Sequence, residues 1–212
     1  DRRKKRILKW HPKISFIVPT YNDGNTVEKT LKSIYKTYDN KKLEVIIVND
    51  GSEDKTKHVV KNLAKKYSLI LINKVKNEGW GSGVLEGFKH AKGKYFSFTV
   101  ADEQVPFDYV YSVLQRIRTE PSKTIVKIKR SIRKTEKVRE ICSSIYIGII
   151  NLFFGKIVED YNGNPKIMLR ADFESILPTF KDNFFDTELL INAYDNKFKI
   201  VEINAHFNKR KY

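Results

Sequence analysis

The chain has one cysteine, Cys142, one methionine, and no apolar run approaching the ~18 to 20 residues that a bilayer-spanning helix needs. One cysteine excludes an intramolecular disulfide and any zinc site built from several thiolates. It reads instead as a small buried hydrophobe in a reducing compartment. Without a spanning segment, the expected protein is soluble or peripheral to a membrane. Acids are scarce relative to bases: 25 Asp and Glu stand against 41 Lys and Arg, for a formal charge of +16. Such a surface attracts phosphates, whether in lipid headgroups, nucleotides or nucleic acid. No nucleic-acid-binding motif is present, so nucleic acid is not an expected partner. The opening Asp1-Arg-Arg-Lys-Lys-Arg6 lacks an apolar core behind its charges, so residues 1–13 read as a solvated basic arm and not as a signal peptide.

What is present suffices for one sizeable core: 212 residues, 41% hydrophobic and 12% aromatic, with residues 14–212 expected as a single domain. Short apolar runs alternate with amphipathic stretches, the pattern of βαβ units and a mainly parallel, Rossmann-like α/β sheet flanked by helices. Strands are expected at 14–18, 43–48, 69–72, 95–100, 125–128 and 199–205. Helices are expected at 26–38, 55–67, 82–91 with Ser82 as its cap, 107–118 and 186–194. Composition changes after residue 122. Residues 123–139 carry eight basic side chains against the single acid Glu136, and 145–154 is almost wholly apolar. This reads either as a basic loop feeding an amphipathic helix on an anionic membrane, or as a solvated loop before an ordinary core helix.

Ligands of parallel α/β sheets bind beyond the carboxyl ends of the strands. Those ends are unusually polar here: Pro19-Thr-Tyr-Asn-Asp23, Asn49-Asp-Gly-Ser-Glu-Asp54 and Asp102-Glu-Gln104. A nucleotide sugar needs its departing diphosphate stabilised, and Mg²⁺ or Mn²⁺ held by carboxylate oxygens does this. Asp102 stands where such a ligand is needed, Asp50 can hydrogen-bond a base or ribose, and Tyr21 can lie against the base ring. Asn77-Glu-Gly-Trp-Gly-Ser-Gly83 precedes a helix and could bring backbone amides to phosphate, although it has neither the P-loop lysine nor the dinucleotide-binding spacing.

Four segments in order, Ile14-Ser-Phe-Ile-Val-Pro-Thr-Tyr-Asn-Asp23, Val48-Asn-Asp-Gly-Ser-Glu-Asp-Lys-Thr56, Asn77-Glu-Gly-Trp-Gly81 with its continuation to Gly83, and Ala101-Asp-Glu-Gln-Val-Pro106, resemble the signatures of family-2 glycosyltransferases with the GT-A fold. Within that family the chain is most similar to the dolichyl- or polyprenyl-phosphate sugar synthases, over residues 14–206. The resemblance divides the domain into a nucleotide-sugar half, 14–106, and an acceptor half, 107–212. It implies that Pro19, Tyr21, Asp23, Asp50 and Ala101 line the donor pocket. Asp102 and Gln104 match its metal- and diphosphate-side positions, with Glu103 as a further candidate ligand. Val100 replaces the first carboxylate of that motif, which should weaken divalent-ion binding. Arg139 and Ser143 resemble the pair that grips an acceptor phosphate, with Arg130 as a second phosphate ligand. Asp160-Tyr-Asn-Gly-Asn-Pro-Lys166 resembles a turn near the transferred sugar, placing Lys166 toward a phosphate. Asp186 and Glu188 begin a helix beneath the site, as caps and anchors or in a direct role, and His206 matches a family histidine.

The activity so implied is inverting transfer of a hexose from a UDP- or GDP-sugar to a polyprenyl phosphate at the cytoplasmic membrane face. Two alternatives stay open. A glycan hydroxyl acceptor would need a carboxylate base, for which Asp160 and Asp186 are the candidates. Alternatively, the Val100 departure marks a catalytically weak nucleotide-sugar- or membrane-binding module.

Overall fold

The computed structural model describes residues 13–37, 41–101, 107–130 and 137–205, without the side chains of 37, 107, 108 and 137–140. In chain order the elements are β1 (Ile14–Thr20), α1 (Val27–Thr37), β2 (Leu43–Asp50), α2 (Thr56–Lys66), β3 (Leu69–Lys74), α3 (Trp80–His90) and β4 (Tyr95–Phe98). They continue as α4 (Phe107–Ile117), β5 (Thr124–Arg130), α5 (Lys137–Phe154), β6 (Lys166–Leu169), α6 (Arg170–Ser175), α7 (Phe185–Asp195) and β7 (Lys199–Ala205).

The strands form one seven-stranded sheet in the order β3-β2-β1-β4-β6-β5-β7. Every pairing is parallel except those of β6, which runs against β4 and β5. Helices cover both faces, so β1 and β2 are buried almost throughout and read as continuous apolar runs. Along β1, Ile14, Phe16 and Val18 point toward α1, α2 and α4, while Ile17 points to the opposite layer of α3, α5, α6 and α7. That second layer is aromatic: Phe96, Phe98, Phe173 and Phe185 meet at centroid separations of 4.3 to 6.4 Å.

The expected fold class holds, with local corrections. Strand four stops at Phe98, two residues early. The third helix starts at Trp80 with Gly79 as its cap at φ 100°, so Ser82 lies inside the first turn and its hydroxyl donates to Glu78 Oε2. Cys142 is exposed on α5 and is not a core residue. β6 and α6 escape a periodicity reading, because four and six residues are too short to display a repeat.

Candidate active site

Parallel pairing brings the ends of β1, β2, β3 and β4 to one edge, with Thr20 level with Asn49 and Asp50 level with Lys74. Because β6 is antiparallel, its first residue joins them: Lys166 is level with Phe98, three residues before Ala101. β5 contributes Arg130, level with Ala205 of β7.

On the donor side, the β1 and β2 loops are locked together by Asn22, held at φ 57°, whose Oδ1 accepts the amides of Glu53 and Asp54 at 3.0 and 3.3 Å. Its own amide donates to Ser52 Oγ at 3.0 Å. Asp23 accepts the Tyr21 amide, leaving the Tyr21 ring 40% exposed at the edge, while Pro19 is buried within β1. Asp50 is 4% exposed and its carboxylate is held by the protein's own groups: it accepts the amides of Glu78 and Gly79 and an ion pair from Lys74 at 2.6 Å.

The glycine-rich segment therefore does not cradle an external phosphate with these groups. The amides of Glu78 and Gly79 hold the carboxylate of Asp50, and the Ser82 amide donates to Lys181 O. The anion at this helix N-terminus is one of the protein's own side chains. Lys74 completes the cluster, pairing also with Glu78 at 2.8 Å and donating to Ser82 Oγ. Opposite charges on Asp50 and Glu78 raise its pKa despite partial burial.

Two buried ion pairs organise the acceptor side. Lys166 is fully buried and donates to Asp186 Oδ1 at 2.6 Å, while Asp186 Oδ2 accepts Trp80 Nε1 at 3.0 Å and Asn164 Nδ2 at 3.4 Å. Asp186 thus ties α3, the 160–165 turn and β6 together. Burial lowers the pKa of Lys166 even against the pull of Asp186. Its ammonium is enclosed and paired within the protein and does not project to the site edge. Glu188 accepts the amides of Thr179 and Phe180 and the Thr179 hydroxyl, which places it as an anchor of the 177–184 loop.

Asp160 receives Arg130 as a fork, Nε at 2.9 Å and Nη2 at 2.7 Å, together with the Arg130 amide at 2.9 Å. Burial pushes this carboxyl upward, but the hydrogen bonds and charge of Arg130, with Lys127 behind them, hold it at about 2. Its folded pKa lies below the ordinary 3.8, so its contribution is complete above that pH and is lost as pH falls through about 2. Asp160→Asn is therefore expected to remove about 2 kcal/mol of stability at neutral pH and much less near pH 2. Denaturant unfolding at both pH values tests this, and an equal loss at each would refute it.

Ser143 is exposed on α5, four residues beyond Arg139 on the same helix. Ala101 is buried at the end of the described β4 loop and Val100 is half-buried. Asp102, Glu103, Gln104 and His206, like the Arg139 side chain, lie outside the described residues, among which no cluster of three potential metal ligands occurs. Sequence reading did not single out Asn22, Lys74, Trp80, Lys127 or Glu202. Asn22 and Trp80 stood inside the quoted motifs, but their partners, 30 and 106 residues away, leave no local trace.

Residues 15–179 match the family model described as Glycosyl transferase family 2. A dolichol-phosphate mannosyltransferase of Pyrococcus furiosus is 32% identical over 106 residues, half of this chain and 30% of that protein. A dolichyl-phosphate beta-glucosyltransferase of Trichomonas vaginalis is 26% identical over 92% of this chain and 66% of its own length. The chain thus spans from under a third to about two thirds of these relatives. In fold it is similar to glucosyl-3-phosphoglycerate synthase of Mycobacterium tuberculosis, solved with Mn²⁺, UDP and glucosyl-3-phosphoglycerate, at a TM-score of 0.74 and 18% identity, covering 95% of this chain and 72% of that one. With its sheet, its strand-end motifs and most of its length inside the family match, the chain belongs to glycosyl transferase family 2 and has the GT-A fold.

Proposed function

We propose that this domain transfers a hexose from a UDP- or GDP-sugar to a polyprenyl phosphate at a membrane surface, on its cytoplasmic face. The observation that carries the acceptor assignment is the state of the two candidate bases. Asp160 is locked to Arg130 at a pKa of about 2, and Asp186 is committed to Lys166, Trp80 and Asn164. A hydroxyl acceptor needs a carboxylate able to take a proton. A phosphate monoester is already anionic and needs none, which favours it over a glycan hydroxyl. The names of the two curated relatives point the same way.

In this reading the donor's nucleotide lies along the β1–β2 edge, against Pro19, Tyr21, Asp23, Asp50 and Ala101. The acceptor's phosphate is held by Arg139 and Ser143, since a guanidinium fork matches phosphate geometry, and by Arg130, whose fork is taken by Asp160 and which adds its charge and the remaining edge of its guanidinium. A phosphate oxygen attacks the anomeric carbon as its bond to the diphosphate breaks, inverting that centre, and the nucleoside diphosphate departs. Lys166 acts from within, holding Asp186 and the 160–165 turn in place. A carboxylate and an amide oxygen, Asp102 and Gln104, form the kind of all-oxygen donor set that Mg²⁺ or Mn²⁺ takes. The bound ion would neutralise charge on the leaving diphosphate.

No helix among the described residues is long and apolar enough to cross a membrane. α5 instead offers an interfacial surface. Tyr146, Ile147 and Ile150 pack inward, while Ile141, Ile145, Ile149 and Leu152, spaced four, four and three apart, are 50 to 79% exposed on one face. Following Arg133, Lys134, Lys137 and Arg139 in the sequence, this stripe suits an anionic bilayer.

Incubation with vesicles containing polyprenyl phosphate, Mg²⁺ or Mn²⁺, and labelled UDP- and GDP-sugars, followed by solvent extraction, tests the proposal. Label is expected in the organic phase, and is expected to vanish with chelator, with Asp102→Ala and with Arg139→Ala. Nucleotide-sugar binding without lipid labelling for any donor would overturn it in favour of a binding module.

A further inference from the structure

Lys127 lies in the middle of β5 with no exposed surface, among Ile125, Val126 and Ile128. Its register partner on β7 is Glu202, and the two form an ion pair at 3.0 Å. Both then converge on the backbone of one residue, Asp160. Lys127 Nζ donates to the carbonyl of Asp160, and Glu202 Oε1 accepts the Asp160 amide at 3.2 Å while Oε2 accepts the Glu159 amide at 2.9 Å. The backbone of Asp160 is thus pinned at both its N–H and its C=O, and its side chain passes that constraint to the Arg130 fork.

A buried lysine is an expensive way to fill a strand position. Apolar residues of similar volume generally serve a fold as well as a buried ion pair, or better. We infer that Lys127 and Glu202 are a positioning pair for the reaction, fixing Asp160 so that Arg130 presents its guanidinium to the acceptor's phosphate. This rests on the reading of Arg130 as a phosphate ligand. The pair touches no substrate. Its effect runs from Glu202 through the Asp160 backbone to the Asp160 carboxylate and then Arg130.

The test is a double-mutant cycle on phosphate-dependent binding, read as the apparent Kd for phosphatidylcholine vesicles with and without polyprenyl phosphate. It needs no knowledge of the donor. Glu202→Gln keeps the side chain's shape but removes the charge that holds Lys127. It is expected to weaken the polyprenyl-phosphate-dependent part of binding about tenfold, and to have no further effect once Arg130→Ala is present. Binding to vesicles lacking polyprenyl phosphate should be unchanged. An equal effect of Glu202→Gln in both backgrounds, or no effect in either, overturns the inference while leaving Arg130 as a ligand. If Arg130→Ala alone leaves phosphate-dependent binding intact, the acceptor reading of Arg130 itself fails and the pair's role falls with it. Should Glu202→Gln melt below the assay temperature, Lys127→Met carries the same cycle, and a wild-type Kd for that variant likewise overturns the inference.

Discussion

Asp186→Ala is expected to cost the fold about 3–5 kcal/mol, read from the shift in its denaturant midpoint, the range seen when one partner of a buried ion pair is removed. Lys166 has no exposed surface and is ion-paired with Asp186 at 2.6 Å. Without that carboxylate the ammonium must either remain charged in an apolar setting beside Phe98 or give up its proton, and both options are costly. Trp80 Nε1 and Asn164 Nδ2 lose the same acceptor. The double substitution Lys166→Met with Asp186→Leu removes both charges and should recover a large part of the loss. A single-mutant cost below about 1 kcal/mol, or a double mutant as unstable as the single, would show that the pair is not desolvated as the structure has it.

Gly163→Ala is expected to be the most damaging of the glycine substitutions in the acceptor half. A Cβ there would lie 1.9 Å from Ile128 O and 2.8 Å from Asp160 Oδ2. The backbone carbonyl cannot swing aside without breaking into β5, so the turn itself must move, and with it the Asp160 grip on Arg130. Overpacking of this kind costs roughly 1–3 kcal/mol, occasionally more, and the upper end is expected here because the obstructing atom is backbone. Gly148 is the matched control. It lies within α5 with nothing within 4 Å of its Cβ position, so Gly148→Ala should be neutral or stabilising by up to about 1 kcal/mol. Thermal unfolding of the two variants compares them directly. Equal melting temperatures would mean that the turn does not pass so close to β5.

These two residues show where the sequence is legible and where it is not. The donor half could be read almost element by element, because Ile14, Phe16 and Val18 or Val60 and Leu63 repeat at periods dictated by local geometry. The family signatures mark the ends of those same strands. The acceptor half is organised by pairings between distant residues. Lys166 meets Asp186 across 20 positions, Arg130 meets Asp160 across 30, and Lys127 meets Glu202 across 75. A lysine inside a short strand looks like an exposed residue until its partner is known. Lys127 and Lys166, part of the basic surplus that suggested a phosphate-seeking surface, in fact sit in the interior. Conversely Cys142, expected inside, is exposed. It shares a helix face with Tyr146 and Ile150, but residues 141–145 are all exposed and the inward packing of α5 begins at Tyr146.

The reversed direction of β6 has a further consequence. In a wholly parallel sheet only segments that follow a strand reach the reactive edge, and each is tied to the helix that comes next. Because β6 runs the other way, the segment before it, residues 155–165, is delivered to that edge as well. It lies between α5 and a four-residue strand, outside the β1 to β4 frame. Its length and composition can change without altering the register of the donor strands. Such a joint lets one nucleotide-sugar platform be refitted to different acceptors by editing a single connection.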